Sequence, residues 1–252
     1  MNKISQTLWI YGKHTVIAAL HNKNRKHYKL LITKQVQTEL KSMLEGIVNI
    51  KIQVVLTQQI EQLLPKNSLH QGIALETSTI IIDGIENFKL DYNKPNICLV
   101  ALDQVTDQHN IGSIIRSAAA FDINGVITLA DNTSAETSHI AKSASGGLEI
   151  IPLIKVVNLV NTIKYLQNKG FWSIGLDGYA KEYLHQMKLP NKTLFIVGSE
   201  HNGIRRLTKE KCDLLAKIKI STNTESLNVS VAAAIAMQTY YQEYPNINPN
   251  DI

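Results

Sequence analysis

Five nearly continuous apolar runs with helical segments between them constrain this chain more than any other feature. NICLVAL (96–102), GVITLA (125–130), FWSIGLD (171–177), TLFIVGS (193–199) and LAKIKI (215–220) each have the pattern of a strand buried on both faces. Helical spacing lies between them at 111–121, 136–144 and 158–169, and this alternation predicts an α/β fold with a mainly parallel sheet. In open sheets of that kind, ligand sites form beyond the carboxyl ends of strands, so the residues just C-terminal to each run are the first candidates for function.

Residues 8–76 read as a separate, smaller α/β unit. Helical spacing at 12–20 is followed by a strand at 29–33, a helix over 36–44 and a strand at 51–56. Thr57 is expected to cap a helix that Pro65 ends, and HQGIALE (70–76) begins the last strand. The turn-rich stretch IIIDGIENFKLDYNKPN (80–96) then reads as a connector, giving a first domain over 1–80, a linker over 81–95 and a second domain over 96–252.

Charge separates the two units. Residues 1–90 hold 11 Lys and Arg against 6 Asp and Glu, whereas 91–252 balance at 15 against 15. Between Lys13 and Lys34 there are six cations and no carboxylate, with His14, His21 and His27 interleaved. A run so one-sided suits a phosphate backbone, because each neutralised phosphate releases counterions. Lys13, Lys23, Arg25, Lys26 and Lys29 are therefore candidate RNA contacts. No apolar run reaches the roughly 18 residues of a membrane span, and no secretory pattern opens the chain, so a cytoplasmic protein without a membrane partner is expected. Cys98 and Cys212 have neither the number nor the spacing of a disulfide framework or a zinc site, and no metal is expected.

Three stretches carry the candidate chemistry. DQVTDQHNIGSIIRSAAAF (103–121) follows a buried strand and opens a helix, placing Asn110 and Arg116 near a strand end. Arg116 is the lone arginine between positions 26 and 204 of a lysine-rich chain, which points to a need for the planar, bidentate guanidinium; a structural pair with Asp103 or Asp107 is the competing reading. IVGSEHNGIRRLT (196–208) brings Gly198, Glu200 and Gly203 to another strand end, without the GxGxxG or P-loop spacing of nucleotide sites. ISTNTESLNVSVAAA (220–234) sets Ser226, Asn228 and Ser230 before a helix rich in alanine, against which another backbone can pack closely.

Together these stretches resemble, in order and spacing, the three signature motifs of the SpoU/TrmH family of RNA ribose 2′-O-methyltransferases. SASGGLEIIPLIKVVNL (143–159) and GFWSIGLDG (170–178) resemble the segments between the first two motifs, and WIYGKHTVIAAL and HQGIAL resemble the substrate-binding domain of members close to the 23S rRNA guanosine enzymes. The resemblance implies a SPOUT domain with a deep trefoil knot, preceded by a small RNA-binding domain. It also implies S-adenosylmethionine as cofactor, held around Gly198, Ile218 and Leu227, and a homodimer. The implied reaction is attack of a ribose 2′-oxygen on the sulfonium methyl group. The resemblance gives Arg116 the proton-accepting role; because a guanidinium keeps its proton at neutral pH, Arg116 is expected to act as base only if a substrate phosphate takes part, and otherwise to orient that phosphate and stabilise the developing alkoxide. Asn110 and Glu200 position it, and Ser226 and Asn228 hold ribose or cofactor. Met237, Tyr240 and Tyr241, at i, i+3 and i+4, are expected at the dimer interface. Four positions depart from the family pattern: Gln108, His201, Lys219 and Thr222 replace residues that stiffen or loosen the cofactor loops. A tRNA target, or an RNA-binding protein with a decayed cofactor loop, are the alternatives.

Overall fold

The computed structural model describes residues 7–47, 50–130, 136–200 and 202–245. The N-terminal unit contains β1 (Thr7–Tyr11), α1 (Lys13–His21), β2 (His27–Ile32), α2 (Lys34–Glu39), α3 (Lys41–Leu44), β3 (Lys51–Val54), α4 (Thr57–Glu61) and β4 (Ile73–Ser78). Its sheet runs β1-β4-β2-β3, antiparallel except for the parallel β2–β3 pair. The helix expected over 36–44 is split at Leu40. The cap expected from Thr57 is instead made from the other side: the Gln59 side chain accepts from the Leu56 N–H at 3.0 Å, so Thr57 is the first helical residue.

Among the described residues the second unit forms one eight-stranded sheet, parallel throughout, ordered β10-β12-β9-β11-β6-β7-β8-β5. In chain order it comprises β5 (Ile82–Asp83), β6 (Ile97–Asp103), α5 (Gln108–Ala120), β7 (Gly125–Leu129), α6 (Ser138–Ala144), β8 (Leu153–Val156), α7 (Leu159–Gln167), β9 (Trp172–Leu176), β10 (Glu182–Tyr183), β11 (Lys192–Gly198), α8 (Arg206–Lys209), β12 (Leu214–Lys217) and α9 (Val229–Glu243). Strand β6 shows why its run is apolar throughout. Cys98, Val100 and Leu102 enter the core under α5, α6 and α9, while Ile97, Leu99 and Ala101 enter a second core under α7. The chain builds β6, β7 and β8 outward, crosses to β9, and then lays β11 between β9 and β6. That reversal puts Gly198 beside Asp103 at the carboxyl edge.

Two expectations change here. The connector is not free: β5 pairs with the sheet edge at β8, and Ile85 and Phe88 are buried beneath the sheet with Leu99 and Ile154. The two units also share a continuous apolar core, in which Ile10, Val16 and Ala19 pack with Ile140, Ala144 and Leu148. Arg25 lies at this junction, 3% exposed. Its NH2 reaches Glu136 at 2.8 Å and Glu149 at 2.7 Å, its Nε reaches Glu149 at 2.9 Å, and its NH1 donates to the Ser78 carbonyl at 2.8 Å. With its guanidinium enclosed by protein, Arg25 drops out of the set of candidate RNA contacts. Burial acts against the Arg25 charge, but Glu136 and Glu149 overcome it and raise the pKa; burial raises the Glu136 carboxyl, and Arg25 and the Ile80 N–H offset this in part.

Helix α9 corrects the interface expectation. Met237 and Tyr240 are buried in their own chain, and the Tyr240 hydroxyl donates to the Asn191 carbonyl at 2.5 Å. Tyr241 is half-buried, with its ring 6.2 Å from that of Phe121. The alanines do allow the close approach their size suggests: Ala233 and Ala236 are buried where α9 crosses α5 and the sheet. Among the described residues, no helix is long and apolar enough to cross a membrane.

Candidate active site

The loop after β11 turns back over its own strand. Ser199 and Gly203 exchange backbone hydrogen bonds at 2.9 and 3.2 Å, forming an isolated bridge. The returning backbone crosses so close to Gly198 that a Cβ there would run into Gly203 and the Ile204 nitrogen, and Gly203 itself has a φ of 62°. Each glycine of GSEHNG thus has its own reason: the first allows a close backbone crossing, the second a left-handed turn. Alanine at Gly198 is expected to displace this loop and weaken cofactor binding more than tenfold, since a backbone neighbour cannot move aside like a side chain. Alanine at Gly203 meets nothing within 4 Å and is expected to cost only about 1 kcal/mol in backbone strain. Calorimetric titration with S-adenosylmethionine, alongside thermal melts, distinguishes the two.

The turn delivers Glu200 to a three-residue cluster. Its Oε1 accepts from Asn110 Nδ2 at 3.1 Å and from Asn228 Nδ2 at 2.5 Å, and Asn228 also donates to Asn110 Oδ1 at 3.1 Å. Asn110 comes from the first turn of α5, which Asp107 caps by accepting from the His109 N–H at 2.9 Å. Asn228 caps α9, its Oδ1 accepting from the Ser230 N–H at 2.9 Å and the Ser230 hydroxyl at 2.6 Å. The structure therefore joins the ends of two helices through one carboxylate. An acceptor fixed this way, its charge supported by the partial positive charge at two helix N-termini, can accept a hydrogen bond from a hydroxyl group.

Arg116 is not in this cluster. Six residues beyond Asn110 on α5, it lies about 9 Å along the axis and about a third of a turn around it. Its side chain is exposed, and it has no ion-pair partner among the described residues. The alternative pairing with Asp103 is closed, because that buried carboxylate accepts from the Arg205 N–H at 2.9 Å and from Arg205 Nε at 2.7 Å.

Beside the cluster, at the carboxyl ends of β9, β11 and β12, is a cavity lined by Gly198, Ile218 and Leu227, with Ser226 and Glu200 at its polar side. Asp177, Gly178, Lys217 and Glu225 also line it. Asp177, Lys217 and Glu225 were not among the site residues expected from the sequence, although Asp177 lies in the stretch 170–178 and Glu225 in the stretch 220–234; Lys217 is the last residue of β12. Burial raises the Asp177 carboxyl, yet an ion pair with Lys209 and the Tyr179 N–H at 2.8 Å bring it below its ordinary value. Apolar Leu176, Val197, Ile218 and Leu227 around a rim of carboxylates, a hydroxyl and small residues suit a flat heterocycle with a cationic tail.

Of the four departures, Gln108 has a definite role: its Oε1 accepts from the Thr137 hydroxyl at 2.9 Å, joining the start of α5 to the cap of α6. Lys219 and Thr222 are exposed and do not line the cavity, and His201 lies outside the described residues. The proposed contacts Lys23 and Lys26 are exposed, Lys29 is half-buried, and Lys13 pairs with Glu39 at 2.6 Å.

Residues 97–238 match the SpoU rRNA Methylase family, and residues 9–80 match the RNA 2′-O ribose methyltransferase substrate-binding family. A 23S rRNA (guanosine-2′-O-)-methyltransferase of Pseudomonas aeruginosa is 33% identical over 243 residues, covering 93% of this chain and 96% of that protein. A putative TrmH family tRNA/rRNA methyltransferase of Bacillus subtilis is 32% identical over 247 residues, covering 96% of each. Among solved structures, the SpoU methyltransferase AviRb of Streptomyces viridochromogenes, in complex with AdoMet, superposes with a TM-score of 0.82 at 18% identity, covering 96% of this chain and 92% of that one.

Proposed function

The chain belongs to the SpoU rRNA methylase family, and from that premise we propose that it transfers a methyl group from S-adenosylmethionine to a ribose 2′-hydroxyl of RNA, at a guanosine of 23S rRNA. The observation that carries this reading is the joining of Asn110, Glu200 and Asn228 into one hydrogen-bonded cluster at the mouth of the cavity. When bound, the cofactor supplies the methyl group as an electrophile. The residues of the chain do the rest: Glu200, held by two amides, is fixed to receive a ribose hydroxyl, and Ser226 adds a donor on the cavity side. Gly198, Ile218 and Leu227 form the apolar wall for the cofactor, and the trefoil knot of the family belongs to the same proposal.

A homodimer completes the site in this reading. Arg116 faces solvent in the isolated chain and precedes Ser117 on α5, the helix that Phe121 ends. Those two residues border a shallow apolar groove with Val231, Ala234, Ile235 and Gln238 of α9. A second copy seated there would cover Val231, which is 46% exposed, and bring one chain's Arg116 toward its partner's cavity.

The test is a deletion strain. Ribose methylation mapped across its rRNA should lose a single 2′-O-methylguanosine of 23S rRNA, which the purified protein restores with S-adenosylmethionine. An intact 23S profile with a missing tRNA methylation would move the target to tRNA. A folded protein that binds no S-adenosylmethionine would make it a non-catalytic RNA-binding protein.

A further inference from the structure

Two loops of the N-terminal domain, around Gly12–His14 and His70–Gly72, take no part in the cluster or the cavity, yet both converge on α6 of the second domain. Gly12 has a φ of 90°, and Gln71, which is not a glycine, has a φ of 56°. That backbone region costs an L side chain on the order of 1–2 kcal/mol, so the fold holds Gln71 there against its preference. In this position its Oε1 sits between two donors, accepting from the Lys13 N–H at 3.2 Å and from Lys142 Nζ at 3.0 Å. The ammonium of Lys142 occupies the space a Cβ on Gly12 would need. The seam is closed by the Thr15 hydroxyl, which donates to the Ala141 carbonyl at 3.4 Å.

Lys142 is half-buried and has no carboxylate partner among the described residues, and Lys13 beside it is neutralised by Glu39. Burial lowers the Lys142 pKa, the sign of a charge held without compensation. A surface lysine with no other role would extend into water; this one is held at a domain junction by a strained loop. Its location is informative. The next residue, Ser143, has its hydroxyl 3.0 Å from His109 Nδ1, and His109 precedes Asn110 of the hydrogen-bonded cluster. The Lys142 turn of α6 packs against the N-terminal half of α5, where a Cβ on Gly112 would lie 2.9 Å from the Ile140 carbonyl.

We propose that Lys142, held by Gln71, is a phosphate-binding positioning residue. It takes a phosphodiester of the RNA strand where that strand passes from the N-terminal domain to the cluster around Asn110. The inference rests on the RNA methyltransferase reading. The ligand class is a nucleic-acid phosphate, so the contact fixes the register of the strand and carries no base preference.

The experiment uses the full-length protein and three readouts. Binding to a polyuridylate oligonucleotide is followed over a salt series, and methylation is followed on a 23S rRNA transcript. Lys142→Gln is expected to make the log–log salt slope shallower by about one and to raise KM severalfold with kcat nearly unchanged. Lys142→Arg should restore both values. Gln71→Gly, which relieves the strained backbone and so keeps the fold, should reproduce part of the loss. Calorimetry with S-adenosylmethionine should give wild-type affinity in all three. A Lys142→Gln protein with the wild-type salt slope and KM overturns the proposal and leaves Lys142 as a strut between domains. If the wild type methylates no rRNA but the difference in slope persists, the methyltransferase reading fails while the phosphate contact stands.

Discussion

Arg116→Ala and Arg116→Lys are both expected to lose methyl transfer on the order of 10²–10³-fold while binding S-adenosylmethionine with near wild-type affinity. Binding should survive because Arg116 does not line the cavity; it stands exposed on α5, away from Gly198, Ile218 and Leu227. Transfer should fail because the 2′-oxygen must shed its proton and carry negative charge while it is held in line with the methyl group. A guanidinium beside it can supply two parallel donors to that oxygen and a neighbouring phosphate. Lysine keeps the charge and loses the fork, so the lysine variant is the informative one. Single-turnover assays with trace-labelled cofactor measure the effect, and wild-type-like turnover by Arg116→Lys would remove the case for bidentate geometry. The alanine variant also tests the dimer. Arg116→Ala mixed with Asn228→Ala should recover part of the activity if one chain's Arg116 works beside the partner's Glu200 cluster, and light scattering should give about twice the 28.1 kDa chain mass. A fully active monomer would exclude that arrangement.

The parallel sheet was legible because its strands are buried on both faces: β6 alternates its side chains between two cores, so every position from Ile97 to Leu102 is apolar and the run is visible without an alignment. The hydrogen-bonded cluster was legible in its members and not in its wiring. Asn110, Glu200 and Asn228 stand out as polar residues after strands or before helices, but only the fold brings positions 118 residues apart to 3.1 Å. Strands β5 and β10 were missed because two-residue strands are too short to show a period. The failures at Arg25 and at Met237 and Tyr240 share a cause. Each reading took a local pattern, a basic run or an i, i+3, i+4 stripe, as facing outward. Local pattern cannot report that a distant segment covers it: Glu136 and Glu149 for Arg25, and the loop at Asn191 for Tyr240.

Arg25→Ala is expected to destabilise the protein by about 3–5 kcal/mol, because it leaves two carboxylates inside the domain junction with no counter-charge. At about 2–4 °C per kcal/mol for a chain of this size, the melting temperature should fall by roughly 6–20 °C. The expectation depends on burial: the side chains of Arg25 and Glu136 are fully enclosed and that of Glu149 is 5% exposed, so water cannot solvate what the substitution strands. Asn22, which donates to Glu149 at 2.7 Å, and the Ile80 N–H, which donates to Glu136 at 2.8 Å, soften the loss without supplying a full positive charge. Lys23→Ala and Lys26→Ala, on exposed side chains of the same basic run, should change stability by no more than about 0.5 kcal/mol and instead make the salt dependence of RNA binding shallower. A triple change of Arg25, Glu136 and Glu149 to Met, Gln and Leu should recover much of the stability, since it removes the charges along with their partner. Thermal melts and salt titrations of these variants separate the two roles that one basic run contains. If Arg25→Ala melted with the wild type and weakened RNA binding like its lysine neighbours, the buried clamp would not be what holds the two domains in register.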